Sequence, residues 1–375
     1  MLIQLAIIGL LVALLPLAIV WVSGDPDKFR KLAWVTAFLA FDLILVGGFT
    51  RLSDSGLGCP DWPGCYGHAN PFQASTQIAA AEAALPDGPV TVIKAWIEML
   101  HRYFAMAIGV LITALAVIAW RRWWRSKRSD MRFAPWIPTL LLAYVCLVGA
   151  FGALTVTQKL QPLFVTGHLI LALGLFAMLV WQAARLATHE QVAPAALSLR
   201  KPAMIVGLLL LVQIALGGWV SSNYAVLACT EFPLCQGVWV PPMDFAHGYT
   251  LWRKLGMTGD GAYLPFAALT AIHWTHRLFA FVVAVAMLWL AHKALRIDGL
   301  QKTARWLLLA LGLQFVTGIL TVYLSWPLLL ALAHNGGAAL LVLLMTMLNY
   351  KALIPACSVS TPTSAARVPT PLKSR

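Results

Sequence analysis

Nine apolar runs, each close to the length of a bilayer-crossing helix, constrain this sequence more than any other feature. They stand near Leu2–Val22, Leu32–Thr50, Met99–Trp120, Trp136–Val156, Leu163–Ala184, Met204–Ser221, Ile272–Ala291, Trp306–Leu324 and Leu328–Tyr350. A helix of about 20 apolar residues crosses the hydrocarbon core. Within lipid every backbone N–H and C=O must be satisfied inside the span, so runs of this kind become helices. Only 11% of the 375 residues are charged, against about 25% in a soluble domain. The expectation is an all-α polytopic membrane protein.

The net charge of +13 could point to an acidic partner, but Lys and Arg first have to be tested for sorting to one face. They fill alternate connections: Lys28, Arg30 and Lys31; the stretch from Arg121 to Arg132; Arg185, Arg200 and Lys201; Lys293, Arg296, Lys302 and Arg305; and the tail. Only Arg51, Lys94, Arg102, Lys159, Arg253, Lys254 and Arg277 fall elsewhere. The first set marks the cytoplasmic face. The first apolar run lacks a basic segment before it and an obvious small-residue cleavage site, so it reads as a retained helix with its N-terminus outside. No transit segment is visible, which favours a bacterial plasma membrane over an organelle. The tail after Lys351, rich in Ser, Thr, Pro and Ala, reads as a disordered cytoplasmic end.

The remaining chain repeats itself. Gly47-Gly48 is followed after ten residues by Cys59 and after a further five by Cys65; Gly217-Gly218 is followed at the same spacings by Cys229 and Cys235. Pro63-Gly64-Cys65-Tyr66-Gly67 matches Pro233-Leu234-Cys235-Gln236-Gly237, and His101-Arg102 matches His276-Arg277. Gly152 and Gly318 each stand 16 residues before a histidine, His168 and His334. The expected architecture is two tandem four-helix bundles related by a pseudo-two-fold axis along the membrane normal, with one extra N-terminal helix. An even number of spans per unit keeps both repeats in the same orientation. The divisions are 1–31 (extra helix and basic loop), 32–186 (N-terminal unit), 187–202 (cytoplasmic linker), 203–350 (C-terminal unit) and 351–375 (tail).

Each unit thus offers two histidines at the outer ends of different helices, His101 with His168 and His276 with His334. Two imidazoles at similar depth in a bundle suit the axial positions of a haem iron. Ionisable groups inside a membrane are costly and usually functional, although any one of them could be a hydrogen-bonded interfacial residue. Zinc is less favoured, since two imidazoles without a nearby Cys or carboxylate cluster fall short of a tetrahedral site. Arg102 and Arg277 could pair with haem propionates. His68, His189, His247 and His292 have no repeat partner and read as loop or interfacial residues. His273 aligns with Glu98, and this breaks the symmetry: an i, i+3 carboxylate beside a ligand can accept a proton or orient the imidazole. An interfacial anchor or a salt bridge to Arg102 is the alternative. The difference suggests one chemically active pocket and one that only holds a cofactor.

Two long outer loops, from Arg51 to about Ala95 and from about Ser222 to Thr270, carry the cysteines. On the oxidising side of a bacterial membrane Cys59–Cys65 and Cys229–Cys235 can each close a tight loop. Such bridges are either redox-active or structural staples. Neither pair fits the Cys-x-x-Cys-His pattern of attached haem c, and Cys146 and Cys357 have no visible partner.

Taken together, Gly47-Gly48-Phe49-Thr50-Arg51-Leu52-Ser53-Asp54-Ser55-Gly56-Leu57, Trp62-Pro63, Glu98-x-x-His101-Arg102, His168, His276-Arg277 and His334 resemble the haem A synthase family, of the COX15/CtaA type. The resemblance runs from about Leu32 to Tyr350. It implies an oxidoreductase that converts the C8 methyl of haem O to the formyl group of haem A, for cytochrome oxidases of the aa3 type. It further implies that His101 and His168 flank substrate haem O, with Glu98 as catalytic carboxylate and Arg102 beside it. His276 and His334, with Arg277, would hold haem B as cofactor. The implied partners are a haem O synthase (farnesyltransferase) as donor, the oxidase assembly machinery and a membrane electron-transfer partner. No nucleic acid is implied, and a homo-oligomer is compatible. The extra helix and Asp42, a carboxylate in mid-span expected to face the bundle interior, depart from the family pattern. A dihaem b electron-transfer protein and a haem transporter or chaperone stand as competing functions.

Overall fold

The computed structural model describes residues 1–354; the expected disordered tail beyond them, with Cys357, lies outside the described residues. The described residues form eleven α-helices: α1 Leu2–Val22, α2 Lys28–Leu52, α3 Ser75–Ala84, α4 Val92–Arg125, α5 Trp136–Thr157, α6 Pro162–Leu186, α7 Arg200–Ser222, α8 Phe245–Gly248, α9 Phe266–Ala294, α10 Gln301–Tyr323 and α11 Leu328–Lys351. All but α3 and α8 lie in segments long and apolar enough to cross a membrane. Local chemistry sets several starts. The Asp27 side chain accepts from the Arg30 N–H at 3.1 Å to cap α2, Thr91 accepts from the Lys94 N–H at 3.2 Å to cap α4, and Pro162 occupies the first turn of α6, where its missing N–H costs nothing.

The helices close into two rings. In the first, α2 packs on α4, α4 on α5, α5 on α6 and α6 back on α2; in the second, α7, α9, α10 and α11 do the same. Between the rings α2 meets α11 and α6 meets α7, with α6 against α11 in the middle. Exchanging the two units maps this pattern onto itself, as a two-fold relation requires. Small residues bring helices close where no hydrophobic drive operates between them: Ala33, Ala37 and Ala40 of α2 are all buried. Helix α1 sits outside the first ring against α4 and α2. It buries Leu5, Gly9, Ala13 and Val20, and a Cβ on Gly9 would come within 2.8 Å of the Met106 Cβ.

One expectation is corrected. Helices α4 and α9 start at Val92 and Phe266, two turns or so before the apolar runs, so His101 and His276 lie well inside their helices instead of at their outer ends. The Thr91 cap and the apolar residues Val92, Ile93, Ala95 and Trp96 carry α4 outward. The long outer loops carry structure of their own. Tyr66-Gly67 and Gln236-Gly237 all have positive φ, the backbone of a tight primed hairpin turn. Each turn is closed by paired main-chain bonds, Cys65 with His68 and Cys235 with Val238. Asp42 is partly buried and makes no hydrogen bond or ion pair among the described residues, so no polar partner is found for it.

Candidate functional site

Each of the four landmark histidines packs against one of the landmark glycines. A Cβ on Gly47 would lie 3.0 Å from Cε1 of His101, on Gly152 3.1 Å from His168, on Gly217 2.9 Å from His276, and on Gly318 3.0 Å from His334. The glycines stand on α2, α5, α7 and α10, and the histidines on α4, α6, α9 and α11. Any other residue would drive its side chain into the ring, which explains the 16-residue spacing shared by Gly152 with His168 and Gly318 with His334. The second glycine of each pair serves the interface between units: a Cβ on Gly48 would meet Asn335 at 3.1 Å and one on Gly218 would meet Thr166 at 3.2 Å. Within each unit the two imidazoles are electrostatic neighbours, His101 with His168 and His276 with His334. All four retain some accessible surface.

Above the histidines, the two arginines clamp the cysteine loops. Arg102 donates through Nη1 to the carbonyls of Asp61 (2.9 Å), Pro63 (3.3 Å) and Gly64 (2.5 Å). Arg277 donates through Nη1 to Glu231 O (2.8 Å) and Leu234 O (3.2 Å), and through Nη2 to Cys229 O (2.8 Å). Both guanidiniums are thus engaged by main-chain carbonyls of the loops. Carbonyls of a tight loop cannot all find partners within it, and a planar guanidinium inside the loop satisfies several at once. The carboxylates of Asp61 and Glu231 complete the design by accepting from turn N–H groups, Asp61 from Tyr66 and Gly67 and Glu231 from Gly237.

Glu98 and His273 occupy the same place under these clamps. Glu98, 3% exposed, accepts from Arg102 Nη2 through Oε1 and from the Cys59 N–H through Oε2 at 2.8 Å. His273, 6% exposed, accepts at Nε2 from Arg277 Nε at 3.1 Å. The salt bridge weighed as an alternative for Glu98 is thus present, and it also aims the carboxylate. Removing one partner of a buried ion pair costs about 3–5 kcal/mol, so Arg102→Met is expected to lower stability by that order. Thermal unfolding in detergent, with protease cleavage of the 59–65 loop as a second readout, would check it; a variant as stable and resistant as the parent would refute the clamp.

Both cysteine pairs are disulfides, with Cα–Cα distances of 4.9 and 4.8 Å. All four cysteines are buried, which shields them from external thiols and favours the staple reading. Where the units meet, Arg51 donates to Ser221 O at 2.6 Å and its guanidinium lies 4.1 Å from the Tyr224 ring centre, while Tyr224 donates to Asp54 at 2.6 Å. Burial raises the Tyr224 phenol above its usual value and lowers the nearby Arg253 guanidinium. His68, His189, His247 and His292 stand outside both pairs: His189 bonds Ala184 O, His247 bonds Asp244, and His292 is exposed.

Sequence reasoning missed the groups that hold the rings. Gln213 Nε2 lies 3.1 Å from His276 Nδ1; Thr317 Oγ1 lies 3.1 Å and Gln314 Nε2 3.3 Å from the two nitrogens of His334. His168 Nδ1 lies 3.0 Å from Val148 O, whereas His101 Nδ1 is buried without a partner. The signal was available: Gln213 precedes Gly217, and Gln314 precedes Gly318, by four residues each, one turn deeper on the same helix face.

Among the described residues, these features define a helical membrane protein with nine candidate spans and two repeat-related pairs of glycine-backed imidazoles under arginine-clamped loops. The sequence profile of the COX15-CtaA family, described as cytochrome oxidase assembly protein, matches residues 30–346, and the chain belongs to that family. Helix α1 precedes the matched region. Relatives include proteins named heme A synthase. That of Shewanella oneidensis is 35% identical over 325 residues, covering 85% of this chain and 96% of that protein. That of Methylobacterium sp. strain 4-46 is 31% identical, covering 84% and 89%, and that of Rhodopseudomonas palustris strain BisB5 is 29% identical, covering 90% and 95%.

Proposed function

We propose that this chain is a haem A synthase, oxidising the C8 methyl of haem O to a formyl group by successive hydroxylations, and that its two units divide the work. The observation that carries the division is the Glu98/His273 difference beneath otherwise equivalent clamps. Residues 32–186 hold haem O between His101 and His168, with Glu98 as the carboxylate that accepts protons at the reacting end. Residues 203–350 hold haem B between His276 and His334, joined to the first unit by the linker 187–202. Haem B, when bound there, supplies one-electron redox chemistry.

The residues present fit a haem in both units. Two neutral imidazoles are the donor set that haem iron takes axially. Glycine behind each ring leaves no side chain to displace it, the acceptor at His168 Nδ1 leaves its Nε2 free for a metal, and at His334 the Gln314 amide 3.3 Å from Nε2 would give way to one. Arg102 and Arg277 act through the loops, closing the outer end over each site and aiming Glu98 in one of them. Excluding water there would strengthen the electrostatics that Glu98 exerts.

The positive-inside pattern supports a bacterial inner-membrane location with the cysteine loops periplasmic and 1–31 as an added anchor. A haem O synthase as donor and a membrane electron-transfer partner follow from the chemistry. Co-expression with a haem O synthase, followed by chromatographic and mass identification of extracted haems, tests the reading. Haem A is expected; folded, haem-loaded protein with haem O unchanged would overturn it in favour of electron transfer or haem carriage.

A further inference from the structure

The two pockets differ in what holds their ligands. An imidazole that gives Nε2 to a metal carries its proton on Nδ1 and needs an acceptor there. His334 has one: Thr317 Oγ1, 3.1 Å away, whose own hydroxyl donates to Gln314 O at 3.1 Å. His168 has Val148 O at 3.0 Å. The second ligand of each unit is therefore fixed in both pockets. The first is fixed in only one. The Gln213 amide lies 3.1 Å from His276 Nδ1, and its Oε1 is buried and without a partner. Turning the amide end for end puts that acceptor at the imidazole N–H. Because Nε2 now also donates to the His276 carbonyl at 3.1 Å, the turned amide must swing its oxygen off that carbonyl and toward Nδ1, and the carbonyl keeps its helical bond. The repeat-equivalent of Gln213, four residues before Gly47, is Leu43. A leucine offers nothing, and His101 Nδ1 is left buried and unpaired.

We infer that Gln213 is a positioning residue that makes the C-terminal pocket a holding site, and that Leu43 in its place makes the N-terminal pocket an exchange site. The inference rests on the division of haems proposed above and adds the reason one haem stays while the other turns over. An imidazole with a fixed tautomer and ring plane binds metal without first being ordered, and losing such an outer partner typically costs 10–100-fold in affinity. His101, free to turn on the face of Gly47, gives up its haem more readily. A synthase needs both behaviours in one chain, since a resident cofactor must survive many turnovers while each product must leave.

The test uses the full-length, haem-loaded protein in detergent with apomyoglobin as the acceptor of released haem. Gln213→Leu is expected to release haem B about 10–100-fold faster and to raise its midpoint potential, because the ligand loses basicity. Gln213→Glu, which restores an acceptor, is expected to retain haem B and shift the potential the opposite way; a mere packing role would not reverse that sign. Leu43→Gln is expected to slow release of the haem bound by His101 and His168. Unchanged haem B release and potential in folded Gln213→Leu, or unchanged N-terminal release in Leu43→Gln, would overturn the inference. Failure of the wild type to make haem A would instead count against the proposed function, and the haem B measurements would still be read independently.

Discussion

Glu98→Gln is expected to reduce haem A formation by about 100-fold or more while haem B content stays near that of the parent, with some loss of stability because Arg102 loses its counter-charge but keeps its loop carbonyls. The amide is nearly isosteric with the carboxylate. Its oxygen can still accept from the Cys59 N–H, which Glu98 Oε2 now does at 2.8 Å, so the loop keeps its anchor. What is lost is the charge and the ability to take a proton, since a neutral amide has no accessible basic site. Glu98→Ala removes the anchor as well and should therefore lower both stability and activity. Comparing the two separates chemistry from scaffolding. Haem A quantified from membranes co-expressing a haem O synthase, with haem B measured in the same extract, decides the matter. Wild-type yields in Glu98→Gln would reduce Glu98 to the salt-bridge anchor that its contact with Arg102 also permits.

Gly217→Val should empty the C-terminal site, and Gly47→Val the N-terminal one. The first Cβ alone would stand 2.9 Å from His276 Cε1 and the second 3.0 Å from His101 Cε1, well inside ordinary carbon–carbon contact of about 3.5–4.0 Å. The ring has to move, and a displacement of about 1 Å at a reacting centre costs on the order of 100-fold. Gly217→Val is expected to lose most of its haem B and with it haem A formation. Gly47→Val is expected to keep haem B, visible as its absorption spectrum in the purified protein, yet make little haem A. Haem B retained in full by Gly217→Val would show that the glycine–histidine contact does not set the ligand position.

The paired design also explains which parts of the fold were legible. Spacing alone tied Gly152 to His168 and Gly318 to His334, and marked Gly47 and Gly217 by their distance to the cysteines, because a glycine facing a ring on the next helix leaves a trace in register. It could not show that each glycine touches its own histidine, since that contact joins different helices. The limits of α4 were misjudged because Lys94 and Glu98 interrupt the apolar run, yet the Thr91 cap and the loop above it let the helix continue. The loop contacts of the arginines were not legible for a related reason. A basic residue beside a ligand histidine suggests an anionic partner, but the carbonyls of Asp61, Pro63 and Gly64 that engage Arg102 are main-chain groups with no sequence signature.

By itself the sequence determined the membrane class, the number of candidate spans, the repeat and the four histidines. Those follow from hydrophobic run length and from spacings along one chain, which solvent and helix geometry convert directly into structure. Only the tertiary structure decided that the arginines bind loops, that Glu98 is held from two sides, and that Gln213 reaches His276 while Leu43 leaves His101 alone. Apart from the Glu98–Arg102 pair within α4, these contacts join a helix to a loop or to another helix, with partners some 40 to 60 residues apart, and the tertiary fold, not local periodicity, brings them within reach.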